Sequence, residues 1–319
     1  MLRALLRLGG LSLLLGLVLA LGGCGGSDDD DDAAAVARET TPDTPPIRLG
    51  AKNFTEQTIL GELYRQALEA KGYDVVLKLD IGSSEIVHRA LRRGELDMYP
   101  EYIGVLLSEV ADNTDRPPSD AAAYEAAQAF ERRNGFTLLD QTPFADSNAL
   151  AVKPAFAERH GLRTIADLRK LDGTVEIAAL AEFATRFEGL KGLRQEYRLR
   201  NLDVVEADGS ERYTKLDSGE VDVASVFTSE GQLAGDDYLV LQDPRRVFAS
   251  GHVAPVVNDK LLETHGPDLR RAIDAVTRTL TTSAMRTMNG DVDLRGRSPA
   301  AVAREFLRAR GLLQAPTAR

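Results

Sequence analysis

The sequence predicts an α/β protein made of two similar lobes joined by two extended crossings, with a cleft between them. Three observations carry this. From Ile47 onward, strand-like and helix-like segments alternate with short connections, the order that builds sheets of parallel strands covered by helices. The stretch at residues 94–102, GELDMYPEY, returns 125 residues later at 219–227 as GEVDVASVF. In each copy a helix ends on a glycine, a short buried strand with an acid follows, and an aromatic residue closes the segment, Tyr102 in one and Phe227 in the other. Finally, residues 140–153 and 253–257 are apolar and extended, contain Pro143 and Pro255, and stand where a chain leaving one lobe and returning to it must cross. Corresponding loops of two lobes would set Tyr102 and Phe227 facing one another across the cleft.

The chain has 319 residues, of which 43% are hydrophobic and 28% charged, enough for two domains with cores of their own. It opens with Arg3 and Arg7, then an apolar run over 11–21 that is too short for a comfortable membrane span and reads as an export signal. Leu21-Gly22-Gly23-Cys24 follows, and Cys24 is the only cysteine. This arrangement resembles the lipobox of bacterial lipoproteins, which implies cleavage before Cys24, a lipid anchor on its thiol and amine, and a place at the outer face of the cytoplasmic membrane. With Cys24 modified no disulfide is possible. Residues 25–46 are rich in Gly, Ala, Asp and Pro without apolar periodicity and read as a solvated tether. The acidic run Asp28 to Asp32 lacks a ligand-spaced loop and reads as charged linker rather than a calcium site. The net charge of −10 disfavours a nucleic-acid partner. The expected division is a signal peptide at 1–23, a tether at 24–46, a first lobe at 47–149 and 256–319, and a second lobe at 150–255.

Taken in order, Ile47, Leu49 and Ala51 alternate as a first strand. Asn53-Phe54-Thr55-Glu56 has the pattern of a capping box, Asn53 as cap and Glu56 at the third helical position. The helix behind it carries Ile59, Leu60, Leu63, Ala67 and Leu68 on one face and stops at Gly72. A strand at 74–81, a helix introduced by Gly82-Ser83-Ser84, and the first copy of the repeat complete the series. In the second series Thr164-Ile165-Ala166-Asp167 is another capping box. Strands follow at 175–180, 202–206 and 238–241, with helices at 183–197 and 210–216. Ser298-Pro299 starts the last helix and Gly311 ends it.

Ala51-Lys52-Asn53-Phe54-Thr55-Glu56-Gln57, Gly82-Ser83-Ser84, Asp97-Met98-Tyr99-Pro100-Glu101-Tyr102-Ile103-Gly104, Arg186-Phe187-Glu188-Gly189 and Ser229-Glu230-Gly231 resemble the glycine betaine/choline-type solute-binding proteins of osmoprotectant ABC importers. The resemblance runs from about Ile47 to about Leu313. It implies a type II periplasmic-binding-protein fold, no catalysis, no cofactor, and a monomer that delivers a small zwitterion to ABC permease subunits in the membrane. Such a ligand needs aromatic faces for an ammonium that has no N–H to donate, and a cation for its carboxylate. Carried over residue by residue, the resemblance puts Lys52 and Arg186 on carboxylate-binding positions, one per lobe, and Tyr102 and Phe227 on ring positions. For Arg186 the residues alone also allow an ion pair with Glu182 or Glu188 at helical spacing. Asn148 stands where a third ring is usual, Gly251 where a fourth is, and Val105 where a threonine is usual. Two rings instead of four forfeit about 1–4 kcal/mol. Either betaine binds weakly, or the ligand is another polar zwitterion or amino acid derivative whose N–H Asn148 could meet.

An enzyme on the same fold, with Asp97 and Glu101 as an acid/base pair, is the rival class. The four histidines, His88, His160, His252 and His265, are scattered without metal spacing, and there is no G-x-S-x-G elbow or phosphate loop.

Overall fold

The structure, a computed structural model, describes residues 45–113 and 115–313. The signal segment, Cys24 and most of the tether lie outside the described residues. Among the described residues, no helix is long and apolar enough to cross a membrane.

Among the described residues, ten strands form two five-stranded sheets. They are β1 (Ile47–Gly50), β2 (Val75–Lys78), β3 (Met98–Tyr102), β4 (Phe136–Leu138), β5 (Asn148–Val152), β6 (Val175–Ala179), β7 (Leu202–Glu206), β8 (Val223–Phe227), β9 (Leu239–Val240) and β10 (Val253–Asn258). The first sheet has the order β2-β1-β3-β10-β4 and the second β7-β6-β8-β5-β9. Each has three parallel strands and then an antiparallel one, β10 or β5, that has crossed from the other lobe. The sheets are therefore mixed, where βαβ order alone predicts parallel ones. Helices cover both faces, so each sheet separates two apolar clusters. In the first, Ile47, Leu49, Met98 and Val253 point to one side and Tyr99, Ala254 and Val256 to the other. In β5, Leu150 and Val152 alternate with Ala149 and Ala151 in the same way.

The repeat has a structural cause. Gly94 and Gly219 both adopt left-handed backbone, at φ 69° and 73°. Asp97 then accepts the backbone N–H of Arg48 in β1 at 2.8 Å, and Asp222 accepts that of Glu176 in β6 at 3.3 Å. Each acid fastens the third strand of its sheet to the first. Asp97 adds Arg48 Nε at 2.9 Å and Nη2 at 2.6 Å, which leaves it engaged in the fold.

The chain passes between lobes just before β5 and just before β10, and the two passages pair at Ala145 and His252. The expected boundaries at 149/150 and 255/256 fall inside β5 and β10, because both strands are already embedded in a sheet. Asp146 N–H donates to Gly251 O at 2.9 Å, and a Cβ at position 251 would stand 2.0 Å from Asp146 O. A third contact joins the lobes at the helix Thr282–Asp293. There Gly231 meets Gly290 so closely that a Cβ on Gly231 would lie 2.4 Å from the Gly290 Cα.

Two expected helical features differ. The helix Thr55–Glu69 starts after Phe54, with no side-chain cap. Asn53 is not its cap, and Glu56 is buried in tertiary hydrogen bonds instead of reaching back to the backbone. The helix expected at 183–197 is broken into Ala181–Ala184, Phe187–Lys191 and Gly192–Glu196, with non-helical backbone at Glu188 and Gly189. The capping box at Thr164 and Asp167 is formed.

Candidate functional site

Parallel sheets present ligands at the carboxyl ends of their strands. At that end of the first sheet stand Lys52, two residues beyond β1, and Tyr102, the last residue of β3. Both are buried, at 4% and 5% exposure. The Lys52 ammonium lies 4.5 Å from the Tyr102 ring centroid, donates to Ser84 Oγ at 2.7 Å, and pairs with Glu101. Glu101 is fully buried. One of its oxygens also accepts the Tyr102 N–H at 2.7 Å, and the other has no partner. Glu101 therefore serves as the counter-ion of Lys52, and the acid/base pairing of Asp97 with Glu101 has no support, since each is engaged by its own cation. Phe54, exposed at the start of its helix, tilts against Tyr102 with centroids 6.1 Å apart and is a ring that sequence reasoning passed over.

The Tyr102 hydroxyl donates to Glu56 Oε1 at 2.7 Å, and Asn289 Nδ2 donates to Glu56 Oε2 at 2.8 Å. The same Asn289 nitrogen reaches Ser229 O in the second lobe at 2.9 Å, and Arg286 Nε reaches Thr228 O at 2.7 Å. A continuous polar chain thus runs from Tyr102 to the residues directly after Phe227. Burial raises the Glu56 carboxyl above the usual glutamate range, against the lowering by its donors and Lys52. Burial and then the Glu56 charge push Asp146 well above its ordinary value. Tyr102 is raised for the same two reasons.

In the second lobe Phe227 ends β8 and is paired in register with Asn148, the first residue of β5. The Arg212 guanidinium lies 5.7 Å from the Phe227 ring centroid and is tied to Glu230 at 2.5 Å. Asn148 Nδ2 donates to Glu188 Oε2 at 3.3 Å. Beside the crossings lies a cavity of about 230 Å3, lined among others by Asp120, Asn148, Thr228, Arg246 and Ser250. A depression of about 600 Å3 at Ala184, Thr185, Lys191, Arg194 and Gln195 shares no residue with these strand ends.

Arg186 stands apart. Its side chain is 68% exposed and 4.0 Å from Glu182, the ion pair that helical spacing allows. The structure thus brings Lys52 and Tyr102 together, brings Phe227 and Asn148 together, and links the two groups through Glu56, Asn289 and Ser229. It gives Arg186 no hydrogen bond or ion pair with any of these. Cys24 lies outside the described residues. Glu56, Asp146 and Asn289 were not foreseen: Glu56 imitates a helix cap, and Asn289 comes from a helix 233 residues away.

Comparison with known proteins gives the family and the fold. Residues 45–309 match the model of the family described as the substrate-binding domain of ABC-type glycine betaine transport systems. The glycine-betaine-binding protein of Pseudomonas aeruginosa is 31% identical over 279 residues, covering 84% of this chain and 88% of that protein. The glycine betaine-binding protein YehZ of Escherichia coli is 27% identical over 283 residues, 83% of this chain and 91% of that one. The crystal structure of a glycine betaine/carnitine/choline ABC transporter protein superimposes with a TM-score of 0.77 at 26% identity, covering 84% of this chain and all of that one. The two-sheet architecture is that of type II periplasmic binding proteins.

Proposed function

The chain belongs to the family of substrate-binding domains of ABC-type glycine betaine transport systems, and from that premise we propose that its cleft captures a small zwitterion, glycine betaine or a related amine, and hands it to a permease. Members of this family are extracytoplasmic binding proteins of importers, not enzymes. In this reading the amine end meets the rings of Tyr102, Phe54 and Phe227, and the carboxylate meets Lys52 from the first lobe and Arg186 from the second. Anchoring through lipid on Cys24, and action as a monomer, belong to the same proposal.

The observation that carries it is the placement of Lys52 beside Tyr102 at the strand ends of the first sheet. A cation and a ring side by side suit the two ends of a dipolar solute, and unlike the other cation–ring pairs of the chain this one stands at the strand ends of the first sheet. The ammonium of Lys52 is already offset by Glu101, so a ligand carboxylate would share it and need a second cation, the part given to Arg186. A thermal-shift screen of betaines, choline, proline derivatives and amino acids tests this. A ligand at a hundredfold excess over its dissociation constant stabilises the folded chain by about 2.7 kcal/mol. A screen in which no zwitterion raises the melting temperature would end the reading.

A further inference from the structure

The second lobe contributes an acid for which neither rings nor cations account. After β6 the helical run breaks at Glu188, with ψ 45°, and at Gly189. A Cβ on Gly189 would lie 2.2 Å from Phe183 O, a backbone atom that cannot yield, so the chain doubles back here only as glycine. The break takes Glu188 off the helix and sets it against both crossings. Asn148 at the start of β5 donates to its Oε2 at 3.3 Å, and the backbone of Ala249, just before β10, favours its charged form. Burial pushes the Glu188 carboxyl up, and Glu109 of the first lobe adds to that, while Arg186 opposes it. Among the described residues no cation lies within 4.0 Å of it, and the only ion pair of Arg186 is with Glu182.

A carboxylate offers about four acceptor positions, and Glu188 has one side-chain donor. The spare acceptor positions of this half-buried anion are open to water until a ligand donor takes them. A fully methylated ammonium brings charge but no N–H. A cation that keeps an N–H brings both and forms a charge-assisted hydrogen bond.

We propose that Glu188, positioned by Asn148, is a specificity-determining acceptor, and that the site prefers a zwitterion whose cationic nitrogen retains at least one N–H over its fully N-methylated counterpart. This rests on the zwitterion reading given above and narrows it to a chemical class.

The test is calorimetric titration of one matched pair, N,N-dimethylglycine with one N–H and glycine betaine with none, into the wild type and the variants Glu188→Gln and Asn148→Ala. The ratio of the two affinities within one protein is unaffected by how much of that protein is folded. The wild type should favour dimethylglycine by about tenfold or more. Glu188→Gln should bring the ratio close to one, and Asn148→Ala should lower it part of the way. If both ligands bind the wild type and betaine binds as tightly or tighter, the inference is overturned and the zwitterion reading survives. If the preference persists in Glu188→Gln, Glu188 is not the acceptor. If neither ligand binds, and no other zwitterion in the screen does, the functional reading itself has failed and this inference with it.

Discussion

Replacing Lys52 with methionine should cost far more stability than the loss of one surface charge. The Lys52 side chain is 5% exposed and that of Glu101 is 0%, so the pair is shielded from water. Without the ammonium, Glu101 keeps two neutral donors, the Tyr102 N–H at 2.7 Å and Ser84 Oγ at 3.2 Å, while its second oxygen remains without a partner. Stranding one member of a buried ion pair costs about 3–5 kcal/mol, whereas neutralising both members is close to neutral. Met keeps the aliphatic stem, so the cavity contribution is small. Urea denaturation followed by circular dichroism should therefore show the midpoint of Lys52→Met falling by about 1–2 M, at a slope near 3 kcal/mol/M. The double variant Lys52→Met/Glu101→Gln should recover most of that. It should still lose the ligand-induced thermal shift, because the cation offered to the carboxylate is gone. A single variant within about 1 kcal/mol of wild type, or a double variant no better than the single, would show that Glu101 is not the buried counter-ion described.

Three further outcomes follow from the same geometry. Glu56 and Asp146 are both raised by burial, and an acid raised in the folded state lowers stability as pH climbs from the ordinary carboxylate range through its folded value. Glu56→Gln should thus gain stability relative to wild type as pH rises above the ordinary glutamate range. Its amide also meets the Asn289 donor, a cost independent of pH, so the readout is the change in the difference of melting temperatures; a constant difference would refute the assignment. Gly251→Ala places a Cβ 2.0 Å from Asp146 O in the paired crossing and should destabilise by about 1–3 kcal/mol or more, checked by calorimetric melting; an unchanged melting temperature would mean that the crossings yield freely. Arg186→Ala, at an exposed position, should leave stability within about 0.5 kcal/mol yet abolish the zwitterion-induced shift, and a retained shift would remove Arg186 from the site.

Much of this architecture is legible in the chain because it rests on local rules. The 125-residue repeat reports a glycine that ends a helix and an acid that takes a backbone N–H from the first strand of its own sheet, and both needs leave marks at fixed spacing. The two crossings are visible as apolar runs with proline, but their limits are not. β5 and β10 pair as soon as they arrive, and pairing partners lie far along the chain. The site was less legible for the same reason. Glu56 three residues after Asn53 satisfies the pattern of a cap, and the sequence alone does not distinguish a carboxylate turned to its own helix from one turned to Tyr102 and Asn289. The motif around Lys52, Asn53 and Phe54 was a signal that this turn matters. Nothing near Asn289 marked it, and Asp146 lies only two residues before Asn148 with no pattern of its own. The break at Glu188 could have been suspected from two glycines, Gly189 and Gly192, within one helical run. A Cβ at either would come within 2.2 Å of a carbonyl oxygen, that of Phe183 or Phe187.

The most direct test of the whole account is isothermal titration calorimetry of a betaine-type zwitterion with the wild type and with Tyr102→Ala. The account predicts saturable one-to-one binding to the wild type and a loss of at least tenfold in affinity when the ring beside Lys52 is removed. Equal binding by both proteins, or a zwitterion that saturates neither, would contradict it.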